Sequence, residues 1–293
     1  GSELNYTKTC ILWLGAWKGR TDGPAGIKCV LSKKILGLIF GYENNNQINW
    51  KPIMSKFDNA LNNHSSRALS MKGRAVIANT MATSKIWYVA TLIELPDECL
   101  KKINKSLFKF IWSGPHETIK RETLYNKIDM GGIDLICVKI KCQALMIKHI
   151  IHFIVHKEEN TPKWMYLAEY WLGLSLQKYR ESRYNNNSPH CMDYRPGFYE
   201  SCMIYFNKFI RENPFVNLNQ LSAKKIYDLL LAKVVMPPRV QLLFPTVDFK
   251  PVWKSVQNNF FDPEIRNCNF KIAHKVLPVN LFLFEYGIGF TMN

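Results

Sequence analysis

A long apolar stretch without proline, residues 70–95, limits the folds that this chain can adopt. Ser70 and, four residues earlier, Ser66 are plausible helix caps, and the segment that follows can form about six helical turns. Its apolar and small polar residues recur at three- and four-residue spacing, which predicts one buried helix face. That predicted face consists of Val76, Ile77, Thr80, Met81, Ser84, Trp87 and Tyr88. The chain is therefore expected to fold around a long helix.

Positive charges surround this predicted helix: Arg67, Lys72, Arg74 and Lys85. A basic collar on a buried helix, followed by Trp87-Tyr88, is a reasonable surface for binding a nucleic-acid backbone. The alternative is a core helix whose cations are only solvated, since long cationic side chains commonly extend to water. The residues alone leave both interpretations open.

The charge balance of the whole chain favours a polyanionic partner. Lys and Arg exceed Asp and Glu by 39 − 23 = 16 over 293 residues, and 47% of the residues are apolar. A chain of this composition can build a folded core and is not expected to be disordered. A membrane surface would also attract a basic protein, but no uncharged apolar run reaches spanning length. We therefore expect a polyanion and no membrane as the partner.

The thiols and imidazoles do not predict a metal centre. The eight cysteines form no C-x-x-C pair, which favours reduced thiols in an intracellular compartment. His149, His152 and His156 lie at i, i+3 and i+7 of a predicted helix over residues 139–156, a spacing that could hold zinc. No carboxylate or thiolate accompanies them in a zinc-binding pattern, so we expect no metal in this chain.

A second helix is predicted after Pro96, with Asp97 as its expected cap. Its apolar face consists of Leu100, Ile103, Leu107, Phe110 and Ile111. Another face carries Lys101, Lys105 and Lys109, and apart from Asp97, the expected cap, no carboxylate lies four residues from any of them. A phosphate backbone would relieve the repulsion among these lysines, and so would simple solvation. The helix is expected to end at residues 113–115, Ser-Gly-Pro.

Short β elements are predicted only near the N-terminus. Residues 10–14 form an apolar run that ends at Gly15, as expected for a short buried strand. Residues 33–42 form a second candidate, in which Gly37 and Gly41 suggest a tight bend. Further helices are predicted over residues 51–62, 198–211 and 223–231. The predicted fold class is therefore mainly α, with a small β element at the N-terminus.

Short motifs after residue 68 follow one another in a recognisable order. The first set is Leu69-Ser-Met-Lys-Gly73-Arg74, Lys85-Ile-Trp87-Tyr88 and Leu95-Pro96. The second set is Phe108-x-Phe110-Ile111-Trp112, Ile119-Lys120-Arg121 and Gly131-Gly132-Ile133-Asp134-Leu135. This ordered set resembles the thumb region of non-LTR (LINE-type) retrotransposon reverse transcriptases, although any one motif alone would be weak. The resemblance covers most of the chain.

The same resemblance extends to both ends of the chain. Leu4-Asn5-x-x-Lys8-Thr9 looks like the polymerase motif after the catalytic carboxylates, whose lysine is proposed to help protonate the leaving pyrophosphate. The segment from Ile35 to Gly41 looks like the primer-grip hairpin of the family. Residues 270–280, which contain His274-Lys275 and Leu277-Pro278, look like a segment after the thumb that contacts bound RNA or the template. The resemblance implies a catalytic role for Lys8 only in a full-length parent protein.

The candidate binding residues come from the charge pattern and the resemblance together. The expected nucleic-acid-binding residues are Lys72, Gly73, Arg74, Lys85, Lys101, Lys105, Lys109, Lys120, Arg121, His274 and Lys275. The expected primer-grip-like residues are Leu36, Gly37, Phe40 and Gly41. For His274, a buried structural histidine is the alternative.

The acidic residues do not form a polymerase centre. Nucleotide transfer needs carboxylates that hold two metal ions, and the chain has no Asp-Asp pair. Its adjacent acids are Asp97-Glu98, at a predicted helix start, and Glu158-Glu159, in a predicted linker. We therefore expect a fragment that holds no cofactor and does not synthesise DNA alone. The parent polymerase would use Mg²⁺.

Three parts are expected along the chain. Residues 3–48 would be the end of the polymerase palm, residues 49–160 the helical thumb bundle, and residues 161–293 a second helical connector domain. The expected partners are template RNA, an RNA–DNA or DNA duplex, and the fingers and palm of the parent enzyme. The fragment is expected to be monomeric, intracellular, and nuclear when it acts on chromosomal DNA. The alternative function is a co-opted element remnant that binds another protein.

Overall fold

The computed structural model describes residues 4–13, 17, 19–41, 45–155, 163–179 and 196–277. Within these residues the chain contains twelve α-helices and one two-stranded sheet near the N-terminus. The predicted mainly-α fold class is confirmed. None of the helices in the described part of the chain is both long and apolar enough to cross a membrane.

The first half of the chain contains a β-hairpin and six helices. In the hairpin, β1 (Ser32–Ile35) pairs antiparallel with β2 (Leu38–Gly41), and Lys33 lies opposite Phe40. The helices are α1 (Asn45–Asn62), α2 (Met71–Ile77), α3 (Ser84–Leu92), α4 (Asp97–Trp112), α5 (Arg121–Leu124) and α6 (Val138–Val155). The hairpin predicted over residues 33–42 is therefore present.

The second half of the described chain is helical. Its helices are α7 (Lys163–Leu172), α8 (Gly197–Glu212), α9 (Ala223–Leu231), α10 (Arg239–Leu243), α11 (Lys250–Val256) and α12 (Pro263–Ala273). Ser222 caps α9, because its hydroxyl oxygen accepts the amide of Lys225 at 3.2 Å. The helices predicted over residues 139–156, 198–211 and 223–231 are found within one or two residues of those bounds.

Helix α6 lies at the centre of the packing. It contacts α3 and α4 from the first half of the chain and α8 and α9 from the second. Buried side chains occur around most of its circumference, as expected for a helix surrounded by neighbours. Residues from both sides of position 160, among them Ile103 and Phe206, belong to one buried cluster.

The strand predicted over residues 10–14 is not formed within residues 10–13, the part of it that the structure describes. Ile11 instead makes a single parallel bridge to Cys29, through backbone hydrogen bonds of 2.9 Å to Lys28 and Val30. A 3₁₀ turn at Pro24–Gly26 precedes the bridge and β1 follows it at Ser32. Few extended residues remain between them, so a longer ladder does not form.

The long predicted helix is present but contains a π-helical segment, Ala78–Ala82, between α2 and α3. Ser70 caps it as predicted, because its hydroxyl accepts the amide of Gly73 at 3.2 Å. The amide of Thr83 donates to the carbonyl of Ala78 at 2.9 Å, which is the five-residue spacing of a π turn. Such a turn places an extra residue in the helix and shifts the side chains that follow it.

The predicted buried face of this helix is wrong for five of its seven residues, and only Ile77 and Trp87 pack against the core. Val76, Met81 and Tyr88 are about half exposed, whereas the core side consists of Ala75, Ala78, Ala82, Ile86, Val89 and Ala90. Alanines contribute little to a hydrophobic pattern, yet their small side chains allow close packing against α1 and α6. The π turn also changes the phase of the helix, so a spacing count through residues 78–82 selects the solvent side.

Helix α4 has the predicted apolar face, with Ile103, Leu107, Phe110 and Ile111 buried. Its expected cap is wrong: Pro96 is the N-cap residue, and Asp97 is the first helical residue. Proline fixes the extended backbone that a cap needs, and the carboxylate of Asp97 still lies at the positive end of the helix. The helix ends as predicted, with Ser113 in a left-handed conformation.

Gly131 joins the first half of the chain to α11 and the segment before α10. Its backbone has φ +80°, and a Cβ atom there would lie 2.4 Å from the Pro238 ring and 2.9 Å from the Trp253 ring. Its carbonyl accepts a hydrogen bond of 3.0 Å from His274. Only glycine satisfies both the conformation and the close approach.

We predict that Gly131→Ala lowers the free energy of unfolding by about 2–4 kcal/mol. Alanine is strained at this positive φ, and its methyl group would overpack the contact with Pro238 and Trp253. The matched control is Gly114→Ala, where the added methyl group would meet open space. That control should change stability by less than about 0.5 kcal/mol. Urea unfolding of both variants tests this, and equal stabilities would contradict the packing described for Gly131.

Candidate nucleic-acid interface

The solvent side of α2 and α3 forms one continuous surface. We call it the α2–α3 face and define it by Lys72, Val76, Thr80, Met81, Ser84, Lys85 and Tyr88, all of them exposed except the partly buried Lys72. The opposite side of the same helices is fixed in the core by alanines. The face therefore presents methyl, thioether and hydroxyl groups to solvent, with a lysine near each end.

The hairpin tip lies against one end of this face. The hydroxyl of Tyr88 donates a short hydrogen bond to the carbonyl of Leu36, whose side chain is 86% exposed. Leu36 and Gly37 both have positive φ, as two-residue hairpin turns require. The structure thus brings two primer-grip-like residues, Leu36 and Gly37, next to the α2–α3 face.

Asn49 holds the hairpin onto the helical body. Its side-chain oxygen accepts the amide of Ile39 at 2.8 Å, and its amide donates to the carbonyl of Ile39 at 2.9 Å. This pair of bonds imitates a neighbouring strand at one residue of β2. The sequence alone does not indicate this role of Asn49, because a single asparagine in the first turns of a helix carries no signal of its partner.

The remaining primer-grip-like residues lie on β2. Phe40 is partly exposed and pairs across the hairpin with Lys33. A Cβ atom at Gly41 would lie 2.9 Å from the Cβ of Ser32, its cross-strand partner. Gly41 therefore allows the two strands to approach closely. Of Phe40 and Gly41, only Phe40 has a side chain that a ligand could contact.

Arg74 does not lie on the exposed surface. Only 9% of it is accessible, and its guanidinium donates to the carbonyls of Leu69 at 3.2 Å and Phe110 at 3.1 Å. Burial lowers the pKa of Arg74 from its usual value. The expectation that this side chain is exposed is wrong, because its hydrogen bonds hold the start of α2 against the end of α4.

The lysines of α4 are exposed as the charge pattern predicts. The contact between Arg74 and Phe110 shows that α4 runs back along α2, so Lys109 lies toward the start of α2. Lys109 and Arg74 line one cleft of about 390 Å³, together with Asp58. Lys105 and Lys101 lie one and two turns further from this cleft along α4, respectively.

The two basic residues at the start of α5, Lys120 and Arg121, have different surroundings. Arg121 forms a bidentate ion pair with Glu117, at 2.7 and 2.5 Å, and stacks over the ring of Phe108 at 4.2 Å. The hydrogen bond to Glu117 raises the pKa of Arg121. Lys120 is exposed. Of this pair, Lys120 is the side chain without a competing carboxylate partner among the described residues.

His274 is a buried histidine, the alternative considered for it. It is 5% exposed, packs between the rings of Trp253 and Phe270, and donates to the carbonyl of Gly131. Burial lowers the pKa of His274 to about 4, although the bond to Gly131 acts in the opposite direction. Its neighbour Lys275 is exposed, so only Lys275 of this pair presents a charge to solvent.

Lys8 is exposed within the N-terminal segment, and its amide donates to the carbonyl of Asn5 at 3.1 Å. Among the described residues, no group of three His, Cys, Asp or Glu side chains could hold a metal ion. His149 bonds the carbonyl of Thr91 at 2.7 Å, which gives it a structural role, and His156 lies outside the described residues.

The chain is similar to a transposon-encoded protein over part of its length. A stretch of 102 residues, 35% of this chain, is 26% identical to the "Transposon TX1 uncharacterized 149 kDa protein" of Xenopus laevis. The aligned part covers only 8% of the length of that protein. No protein-family model matches the chain.

We predict that Arg74→Ala lowers the free energy of unfolding by about 2–3 kcal/mol, because it removes charged hydrogen bonds to two carbonyls. Lys72→Ala, two residues away, is the control and should change stability by less than about 0.5 kcal/mol. Chemical unfolding measures both. If the two variants were equally stable, the bonds from Arg74 would not hold α2 to α4.

We also predict that acid destabilises the protein through His274. Its pKa is near 4 in the folded chain and about 6.5 when unfolded, so only the unfolded state binds a proton between these values. The buried neutral imidazole therefore contributes fully to the free energy of unfolding above pH 6.5. This contribution, at most about 3 kcal/mol, is lost as the pH falls toward 4.

Urea unfolding at several pH values tests this for the wild type, for His274→Gln and for the exposed control His116→Gln. Only His274→Gln should flatten the pH dependence. Parallel curves for all three proteins would contradict the assignment.

Proposed function

We propose that this chain is the thumb and connector part of a non-LTR retrotransposon reverse transcriptase, and that the α2–α3 face binds the template–primer duplex. The similarity to a transposon protein supports a retrotransposon origin. The ordered motifs from Leu69 to Leu135 support the thumb assignment. The duplex-binding role depends chiefly on one observation, the exposed face of α2 and α3 next to the hairpin tip.

The chemistry of this face suits a duplex. Hybrid duplexes have A-like geometry, whose minor groove is wide and shallow and is recognised mainly by shape. A helix side with Val76, Thr80, Met81 and Ser84 can lie against sugars without large side chains that would prevent the approach. Lys72 and Lys85 are placed to reach the phosphates at the groove edges. Such contacts read no base sequence.

The hairpin tip gives the proposed interface a second side. Leu36 is exposed at the turn, and its backbone carbonyl is tied to Tyr88 on the helix. A duplex strand that follows the α2–α3 face would meet this turn at the end of α3. We therefore assign the tip, Leu36 and Gly37, to the primer strand and the helix face to the duplex groove.

Other parts of the proposal concern the parent protein. Its palm would supply the carboxylates and Mg²⁺ for DNA synthesis, Lys8 would assist there, and the whole enzyme would act in the nucleus on chromosomal DNA. Template RNA would contact Lys120 of the thumb and Lys275 of the connector. The fragment would bind nucleic acid as a monomer.

A protein-binding function for the same face is the second candidate. Val76, Met81 and Tyr88 expose apolar surface together, and exposed apolar patches often mark protein interfaces. Salt separates the two functions, because phosphate binding weakens steeply with salt and an apolar interface does not.

We predict that Lys72→Ala combined with Lys85→Ala weakens binding to an RNA–DNA hybrid by roughly tenfold or more. The loss should be similar for unrelated sequences, and the slope of log affinity against log salt should fall by about two. Fluorescence anisotropy over a salt series measures both quantities.

The matched control is Lys224→Ala with Lys225→Ala, two exposed lysines on α9. It should leave the hybrid affinity and the salt slope nearly unchanged. Wild-type binding without salt dependence, or equal losses in both double variants, would contradict duplex binding by the α2–α3 face.

A further inference from the structure

A cleft of about 460 Å³ lies between the segment before α5, the short stretch at Met236 and Pro237 that leads into α10, and the end of α12. Its walls are mainly apolar, with Ile119, Met236, Val240, Leu243 and Val276 among the lining residues. Three cations also line it: Lys120, Arg239 and Lys275. The described residues that line this cleft include no acid.

Hydrogen bonds fix the three segments that form the cleft. The side chain of Asn126 donates to the carbonyl of Met236 at 2.7 Å, and this bond holds the stretch before α10 against the α5 region. His274 donates to Gly131 and holds the end of α12 against the same region. The cleft is therefore a consequence of the fold, although its walls come from distant parts of the sequence.

The cations of the cleft are available to a ligand. In the described part of the chain, no carboxylate lies within ion-pair distance of Lys120, Arg239 or Lys275. Lys275 has φ 55° at the turn that ends α12, and its ammonium group lies over the ring of Phe244 at 4.6 Å. Three like charges at one apolar cleft repel one another, and an anionic ligand would relieve that repulsion.

The ligand of such a cleft combines an apolar body with a negative charge. A volume of about 460 Å³ falls within the usual range of small-ligand sites. A nucleotide meets both demands, because its base can lie on apolar side chains and its phosphate can accept hydrogen bonds from lysine and arginine. A free phosphate would leave the apolar walls unused.

We propose that this cleft binds one unpaired nucleotide of the RNA strand where that strand leaves the duplex. The base lies on the apolar walls, and Lys120, Arg239 and Lys275 hold the adjacent phosphate. This inference rests on the proposed function, since it takes the duplex to be bound on the α2–α3 face. It assigns Arg239, which no motif of the sequence had indicated, to RNA binding.

The test compares a blunt RNA–DNA hybrid with the same hybrid carrying a short single-stranded RNA overhang. A hydrogen bond to a charged group contributes about 1.5–3 kcal/mol, so a phosphate of the overhang held by these cations should tighten wild-type binding roughly tenfold or more. Lys120→Ala with Arg239→Ala should abolish this gain, so that the variant binds the blunt hybrid and the overhang hybrid with equal affinity. The control pair Lys250→Ala and Lys254→Ala removes two exposed lysines of α11 outside the cleft and should retain the gain.

A second variant tests the apolar walls without changing any charge. Leu243→Trp should fill part of the cleft and reduce the gain from the overhang, while circular dichroism confirms an unchanged fold. A gain that persists in both the double variant and Leu243→Trp would overturn the proposal. A wild-type protein that gains nothing from the overhang would also overturn it.

Failure of the duplex-binding proposal has a different signature. If the wild type bound no blunt hybrid but bound single-stranded RNA through Lys120 and Arg239, the α2–α3 assignment would fail and the cleft would stand. If the blunt hybrid bound normally and the overhang added nothing, only the cleft proposal would fail.

Discussion

The contact between Arg74 and the end of α4 is the interaction on which the proposed interface depends. One guanidinium joins the carbonyl of Leu69, before α2, to the carbonyl of Phe110, near the end of α4. A cation is also favourable at the negative end of a helix. This contact helps to set the rotation of α2 about its axis, and that rotation decides which of its sides meets the core. Val76 is exposed on the opposite side, whereas the exposure of Met81 also depends on the π turn.

Much of the fold could be predicted because its signals are local. The hairpin was indicated by Gly37 and Gly41, the cap at Ser70 by residue type, and α8 and α9 by spacing and by the cap at Ser222. The face of the long helix was predicted wrongly for a local reason as well. Its core contacts are made by alanines, and a π turn at residues 78–82 breaks the periodicity that a spacing count assumes. The amino-acid composition predicts neither the alanine contacts nor the π turn.

The candidate site was predictable only where charge and exposure coincide. Lys85, Lys101, Lys105 and Lys109 are exposed, as their spacing suggested. Arg74 and His274 lie in motifs that carry the resemblance but are buried in hydrogen-bonded positions. A sequence motif can include a residue because it contacts a ligand or because it supports the fold, and the motif alone does not distinguish these two roles. Asn49 and Arg239 show the converse. Asn49 bonds Ile39, Arg239 shares its cleft with Lys120 and Lys275, and only the fold brings these groups together.

The two proposed nucleic-acid sites have one physical property in common. In each, cations border a surface of small or apolar groups: Lys72 and Lys85 at the α2–α3 face, and Lys120, Arg239 and Lys275 at the cleft. The cations provide affinity without sequence preference, whereas the shape between them decides whether a paired or an unpaired strand fits. The buried contacts of Arg74 and His274 then have a common role, since each fixes the segment that carries one of these surfaces. Loss of either buried contact should therefore weaken nucleic-acid binding through shape, with the salt slope unchanged while the fold persists.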